Sequence, residues 1–184
     1  MKVCIGLPTY KTVHSQTLAS LLWLVQFSGR KHDLVFSVRD HHSIPHNRNK
    51  IVEEGIEADY ILFIDSDMVF PEDLLERLLA HDKDIVGVDS SYKELPLQTT
   101  VKHNLEAMPK TLFQCRAVGG GILLVKTSVF KNRLRKPYFV MEHDRNGLIS
   151  KGEDVYFCEE ARLAGLEVWC DPSIKISHIG DYQY

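Results

Sequence analysis

What most limits the fold of this chain is the regular exchange of two apolar patterns through its first half. Short continuous apolar runs, of the kind a strand buried on both faces needs, occur at "KVCIGLP", "DLVFSV", "YILFI" and "DIVGV". Between them, apolar residues recur at helical spacing. Leu18, Leu21, Leu22 and Val25 follow Ser15 and precede Gly29; Ile51, Val52 and Ile56 share one side of "NRNKIVEEGIEA"; Leu74, Leu75, Leu78 and Leu79 follow Pro71. Pro8 is expected to stop the first strand. Pro71 is expected to open the third helix, with Glu72 and Asp73 in its first turn, where the helix dipole favours anions. Strand and helix in alternation predict an α/β fold, a mostly parallel central sheet with helices on both faces.

The second half is less regular. "VGGGILLV" reads as a glycine-led strand, Val155 to Gly165 as a helix, and "LEVWC" and "IKISH" as short terminal strands. Asp89 to Lys110 and Met141 to Gly152 read as long loops, a size often used for lids and binding elements. A chain of 184 residues suits one compact domain with its own core, and no repeat or linker divides it. The formal net charge of -3 carries no basic excess that would suggest nucleic acid or an anionic membrane as partner. "LASLLWLVQF" is too short to span a bilayer and lacks the flanks of a signal peptide. Cys4, Cys115, Cys158 and Cys170 are widely spaced without a CxxC, which fits buried free thiols in a reducing cytosol. A cytoplasmic location is the expectation.

The stretch "YILFIDSDMVF" sets ionisable carboxyls at the mouth of a buried strand, a costly place unless something compensates them. In parallel α/β sheets, ligands bind beyond the carboxyl ends of the strands. If the segment stays extended, Asp65 and Asp67 point to one side and Ser66 to the other. Two converging carboxylates suit a hard divalent cation, Mg²⁺ or Mn²⁺. A solvated turn capping the Pro71 helix is the alternative. His178, ending the last apolar run, is either a packed or surface residue or an imidazole ligand for such a cation. Glu153 and Asp154 open an amphipathic helix; favourable N-terminal charge accounts for both, and a carboxylate kept ionised there can also serve as a general base. His41, His42 and His46 match no zinc spacing and read as part of a solvent-facing loop.

Six segments in order, "IGLPTY", "HNRNKIV", "FIDSDMVF", "VGGGILLVKTSVF", "GEDVYFCEEARLAGLEVW" and "SHIG", resemble the GT-A fold glycosyltransferases of the family 2-like kind. The resemblance implies one Rossmann-like GT-A domain over residues 1–184, with a nucleotide-binding half at about 1–90 and an acceptor-side half at about 91–184. Pro8, Thr9 and Tyr10 would line the nucleotide pocket together with Ser66, and Asp40 would approach the base. Arg48 would sit near the diphosphate or the first aspartate. Asp65 would face ribose and metal, Asp67 would chelate the Mn²⁺ or Mg²⁺ cofactor, and His178 would complete its shell. Gly119, Gly120 and Gly121 would allow close approach of sugar or acceptor. Asp154, with Glu153 beside it, would be the base of an inverting transfer from a nucleoside-diphosphate sugar, UDP-linked by default. The chain departs from the family after the second strand, where "VRDHHSIPHNRN" replaces a "DDGS"-like turn. It also ends soon after His178, so the acceptor (a sugar, lipid, protein or modified DNA base) is expected to be held by internal loops or a partner. Two other readings stand beside this one. "DSDMV" fits a haloacid dehalogenase-like phosphatase with Asp65 as nucleophile, and a third reading is a nucleotide-sugar-binding module without turnover, against which the intact acidic and histidine positions argue.

Overall fold

The computed structural model describes residues 1–90 and 99–180. Its strands are β1 (Lys2–Thr9), β2 (Asp33–Asp40), β3 (Tyr60–Ile64), β4 (Met68–Val69), β5 (Ile85–Val88), β6 (Phe113–Cys115), β7 (Ile122–Lys126), β8 (Glu142–His143), β9 (Ile149–Lys151), β10 (Val168–Asp171) and β11 (Ser177–His178). Its helices are α1 (Ser15–Ser28), α2 (Ile44–Gly55), α3 (Leu74–Ala80), α4 (Thr127–Asn132) and α5 (Glu153–Leu163). Seven strands form one sheet in the order β2-β1-β3-β7-β5-β10-β6. β2, β1 and β3 run parallel, as do β5 and β10, whereas β7 is antiparallel to both β3 and β5, and β6 to β10. Apolar side chains pack on both faces. Ile51, Val52, Phe130 and Phe157 from α2, α4 and α5 cover one, and Leu21, Leu24, Leu74, Leu75 and Leu78 from α1 and α3 cover the other.

The antiparallel entry of β7 positions the site. Ile122 pairs with Ile64 at the end of β3, and Gly121 just before it accepts the Asp65 N–H at 2.9 Å. The glycine run therefore lies against the carboxyl end of the strand that carries the aspartates.

Several expected boundaries shift, each for a local reason. Pro8 does not stop β1; it pairs with Arg39 of β2 at a level where β3, which reaches only Gly6, makes no ladder with it. α2 begins before Asn47 because the Ser43 side chain caps it, accepting the His46 N–H, and Pro45 fits its first turn. α3 begins at Leu74, with Pro71 in the turn before it. In α1 the buried face is Thr17, Ser20, Leu21, Leu24 and Ser28, whereas Leu18 and Leu22, expected inside, are exposed. The Met141–Gly152 segment contains the β8–β9 hairpin. Of the expected loop from Asp89 to Lys110, residues 91–98 lie outside the described residues.

Candidate active site

Asp65 and Asp67 do not stand in an extended segment. The Met68 N–H bonds back to Asp65 O at 3.3 Å and closes a turn, so the expected alternation that would point both carboxylates one way does not hold. Asp65 turns to Arg48 and Asp67 to His178.

Arg48, on α2, is 1 % exposed. Its Nη2 donates to Asp65 Oδ1 at 2.7 Å and its Nε to Glu153 Oε1 at 3.3 Å. The guanidinium plane rests near the rings of Phe63 and Phe139, at 5.7 and 5.9 Å from their centroids. Burial works against its charge, but Asp65, Glu153 and Asp154 outweigh that and raise its pKa. Burial also pushes the Asp65 carboxyl up to about 6, opposed by Arg48 and reinforced by the negative charges of Asp67, Glu153 and Asp154. Three carboxyls, Asp65, Glu153 and Asp154, thus crowd one guanidinium, and Asp67 adds its negative charge beside Asp65.

The glycines make room for this arrangement. A Cβ at Gly120 would stand 2.6 Å from Arg48 Nη2, and one at Gly119 2.5 Å from Thr100 Oγ1. The Gly120 N–H donates to Asp154 Oδ2 at 3.1 Å, while Asp154 Oδ1 accepts the N–H of Val155 at 2.7 Å. Helix α5 presents Glu153 and Asp154 from its first turn, Glu153 to the guanidinium and Asp154 to the glycine loop.

Asp67 and His178 meet because β4 and β11 form a two-stranded ribbon in which Met68 faces His178 and the Ile179 N–H bonds Asp67 O at 2.9 Å. Asp67 Oδ1 lies 3.3 Å from His178 Nε2, with the side chains 27 % and 25 % exposed. Among the described residues, no group of three or more His, Cys, Asp or Glu side chains is arranged to hold a metal, so Asp65 does not join this pair as a preformed third ligand. The donor chemistry, one carboxylate and one imidazole beside an under-compensated carboxyl, nevertheless fits a divalent cation.

Pro8, Thr9 and Tyr10 lie at the carboxyl end of β1, and Asp40 ends β2 beside them. Asp40 Oδ1 accepts the Lys11 N–H at 2.7 Å, and Thr9 Oγ1 donates to Thr12 O at 2.7 Å. The Tyr10 ring is exposed, with Lys11 Nζ 4.8 Å from its centroid. Ser66 contributes its carbonyl to the His14 N–H at 2.8 Å. His41 packs its ring against those of His42 and His46, at 3.9 and 4.5 Å.

Two residues that sequence reasoning passed over flank Arg48. Asn47, buried, donates to both Thr9 O (3.0 Å) and His41 O (2.9 Å), clamping the ends of β1 and β2. Asn49 accepts the N–H groups of Tyr138 and Phe139 and donates to Phe139 O, holding the segment that carries Phe139 onto α2. The signal was two asparagines around an arginine inside a helix, where polar residues face solvent unless they bond backbone.

The structure is similar to that of A197 from STIV (TM-score 0.69, 18 % identity, 98 % of this chain and 87 % of that one). It is also similar to GalNAc-T7 in complex with UDP, GalNAc and Mn²⁺ (TM-score 0.67, 9 % identity, 100 % of this chain and 44 % of that one). A third likeness is to S. aureus TarS 1-349 (TM-score 0.55, 17 % identity, 97 % of this chain and 60 % of that one). The chain has a GT-A fold. It spans less than two thirds of the GalNAc-T7 and TarS chains it matches. No protein-family model and no curated protein matches its sequence. In this GT-A fold, both carboxylate clusters and the ends of β1 and β2 lie at the carboxyl side of the sheet, where α/β folds bind ligands. No described helix is long and apolar enough to cross a membrane.

Proposed function

We propose that this GT-A chain is a metal-dependent glycosyltransferase that moves a sugar from a nucleoside-diphosphate donor, UDP-linked, to a hydroxyl acceptor with inversion. The observation that carries the reading is the meeting of Asp67 and His178 across the β4–β11 ribbon, next to the Arg48-bridged carboxyls Asp65 and Glu153. Support comes from the fold and from a GT-A neighbour whose structure holds UDP and Mn²⁺. The same fold argues against the haloacid dehalogenase-like reading of Asp65.

In this proposal Pro8, Thr9, Tyr10 and Asp40 bind the nucleoside, with the exposed Tyr10 ring as a face for the base. Asp67 and His178, with Asp65, would hold a Mn²⁺ or Mg²⁺ ion, which would supply charge neutralisation to the departing diphosphate. Arg48 orients Asp65 and Glu153 from below. Asp154, fixed by the Gly120 and Val155 amides, accepts the proton of the acceptor hydroxyl as its oxygen bonds the anomeric carbon. The bond from that carbon to the diphosphate breaks, and its electron pair leaves with the diphosphate. The half containing α5 and the β8–β9 hairpin receives the acceptor.

The test is calorimetry of UDP binding with Mn²⁺ and with EDTA. Wild type should bind UDP tightly only with Mn²⁺, and Asp67→Ala should lose that dependence while keeping its fold. Equal affinity of the wild type in EDTA and in Mn²⁺ would overturn the reading.

A further inference from the structure

β2 is an edge strand of the sheet and, among the described residues, pairs only with β1. Its register with β1 fixes which backbone groups face outward. The Asp33 N–H donates to Met1 O and the His41 N–H to Thr9 O, so the odd-numbered residues of β2 bond to β1. Leu34, Phe36 and Val38 therefore aim their N–H and C=O groups away from the sheet. Phe36 and Val38 are 49 % and 54 % exposed. On α1, Gly29 lies over Leu34, an added Cβ standing 3.9 Å from its Cδ1. Leu18 and Leu22 share the flank of α1 that Gly29 continues, and both are exposed. Leu18, Leu22, Phe36 and Val38 are thus exposed apolar side chains on the α1 side of a strand that, among the described residues, pairs only with β1. Edge strands are normally guarded by central charges, proline or a bulge. β2 has charges only near its ends, Asp33 at one and Arg39 and Asp40 at the other.

We infer that β2 pairs antiparallel with β2 of a second copy of this chain, across a two-fold axis at Phe36. Phe36 then faces its own counterpart and Leu34 faces Val38, so outward-pointing residues lie directly opposite one another and exchange both backbone bonds. Of the registers that bring outward-pointing residues together, this one alone also sets Asp33 against Arg39, once at each end. The charges are self-complementary, as a two-fold interface requires. Arg39 already holds Glu54 through Nε, at 2.9 Å, and through Nη2, which leaves its Nη1 donors for a second carboxylate. The two α1 helices lie on one face of the joined sheet, with Leu18 and Leu22 flanking the Phe36 pair.

Sedimentation equilibrium of the full chain tests this. Wild type should show a reversible monomer–dimer equilibrium. Asp33→Arg, which sets like charges against Arg39, should weaken the dimer by about tenfold or more. Adding Arg39→Asp to that variant should restore most of the affinity, and Phe36→Lys should abolish the dimer. A wild type monomeric at every concentration, an Asp33→Arg variant that dimerises as wild type does, or a double reversal that fails to restore association would each overturn the inference. Because Asp33 and Phe36 are exposed, a native-like circular dichroism spectrum and a cooperative melt, recorded below the wild-type dissociation constant, will show that the variants are folded.

Discussion

Asp65 and Asp67 leave the same strand end two residues apart, yet their supports differ in kind. Asp65 rests on a buried guanidinium that also holds Glu153, sandwiched near two aromatic rings and covered by Gly120. Asp67 rests on a part-exposed imidazole at the end of a ribbon of two short strands. The braced side is built by the protein itself. On the ribbon side the contact is part-exposed, and in the proposed function it is where the cation enters. A D-x-D pair so divided has one member tied to a buried arginine and one at the part-exposed end of a ribbon.

The comparison can be broken from the braced side first. Asp154→Asn keeps an oxygen for the Gly120 amide but cannot take a proton, so release of nucleoside diphosphate from a sugar donor should fall by about 10²–10⁴-fold. If Asp154 served only the dipole of α5, the change would be about 0.3–1 kcal/mol of stability and turnover would persist. Glu153→Gln is the control, and an undiminished rate in Asp154→Asn would move the base role to Glu153 or point to a retaining mechanism. Arg48→Met strands Asp65 and Glu153 in a buried setting and should cost about 3–5 kcal/mol in urea denaturation. A loss below about 1 kcal/mol would mean that the carboxyls do not depend on this bridge.

Gly120→Ala sharpens the contrast within one loop. Its Cβ meets the fixed guanidinium at 2.6 Å and should cost about 1–3 kcal/mol, measured by the same denaturation. Gly121→Ala should cost less, since its Cβ meets the flexible Met68 side chain at 3.3 Å. Equal costs would show that Arg48 is not held in place as described. The smallest effect belongs to the ribbon. Asp67→Ala should change stability by about 1 kcal/mol or less, as for part-exposed ion pairs, even as Mn²⁺-dependent UDP binding disappears. A large loss of stability would make Asp67 as structural as Asp65.

Much of the fold was legible because long apolar runs and helical spacing survive in the sequence: β1, β2, β3 and β5 with α1, α2 and α3 stand where their patterns put them. What escaped had a physical reason for doing so. β4, β6, β8 and β9 are two or three residues long and show no periodicity. A buried run such as "ILLV" of β7 carries no mark of strand direction, so its antiparallel course was invisible. In α1 the apolar stripe at Leu18 and Leu22 is real, but it faces away from the monomer's core, where Thr17, Ser20 and Ser28 are buried instead. In the site, Asp65, Arg48, Glu153, Asp154 and Gly120 assemble into one cluster, and Asp67 meets His178. The turn that separates the two aspartates is held by backbone hydrogen bonds from Met68, His14 and Ile179, which no side chain announces. Asn47 and Asn49 escaped because a buried asparagine is distinguishable from an exposed one only by the backbone groups it finds.

The antiparallel course of β7 reaches further, into how the chain comes together. β5 has β7 on one side and β10 on the other, both from far later in the chain, and β3 gains its second neighbour only from β7. As the chain emerges from the ribosome, β2, β1 and β3 can pair early, but β5 must wait with both edges open until Ile122–Lys126 arrives. Such distant pairings fold slowly and expose apolar edges meanwhile. A break near Asp89 would therefore leave β5 without a partner strand, because the two portions of the chain are interleaved at the centre of the sheet.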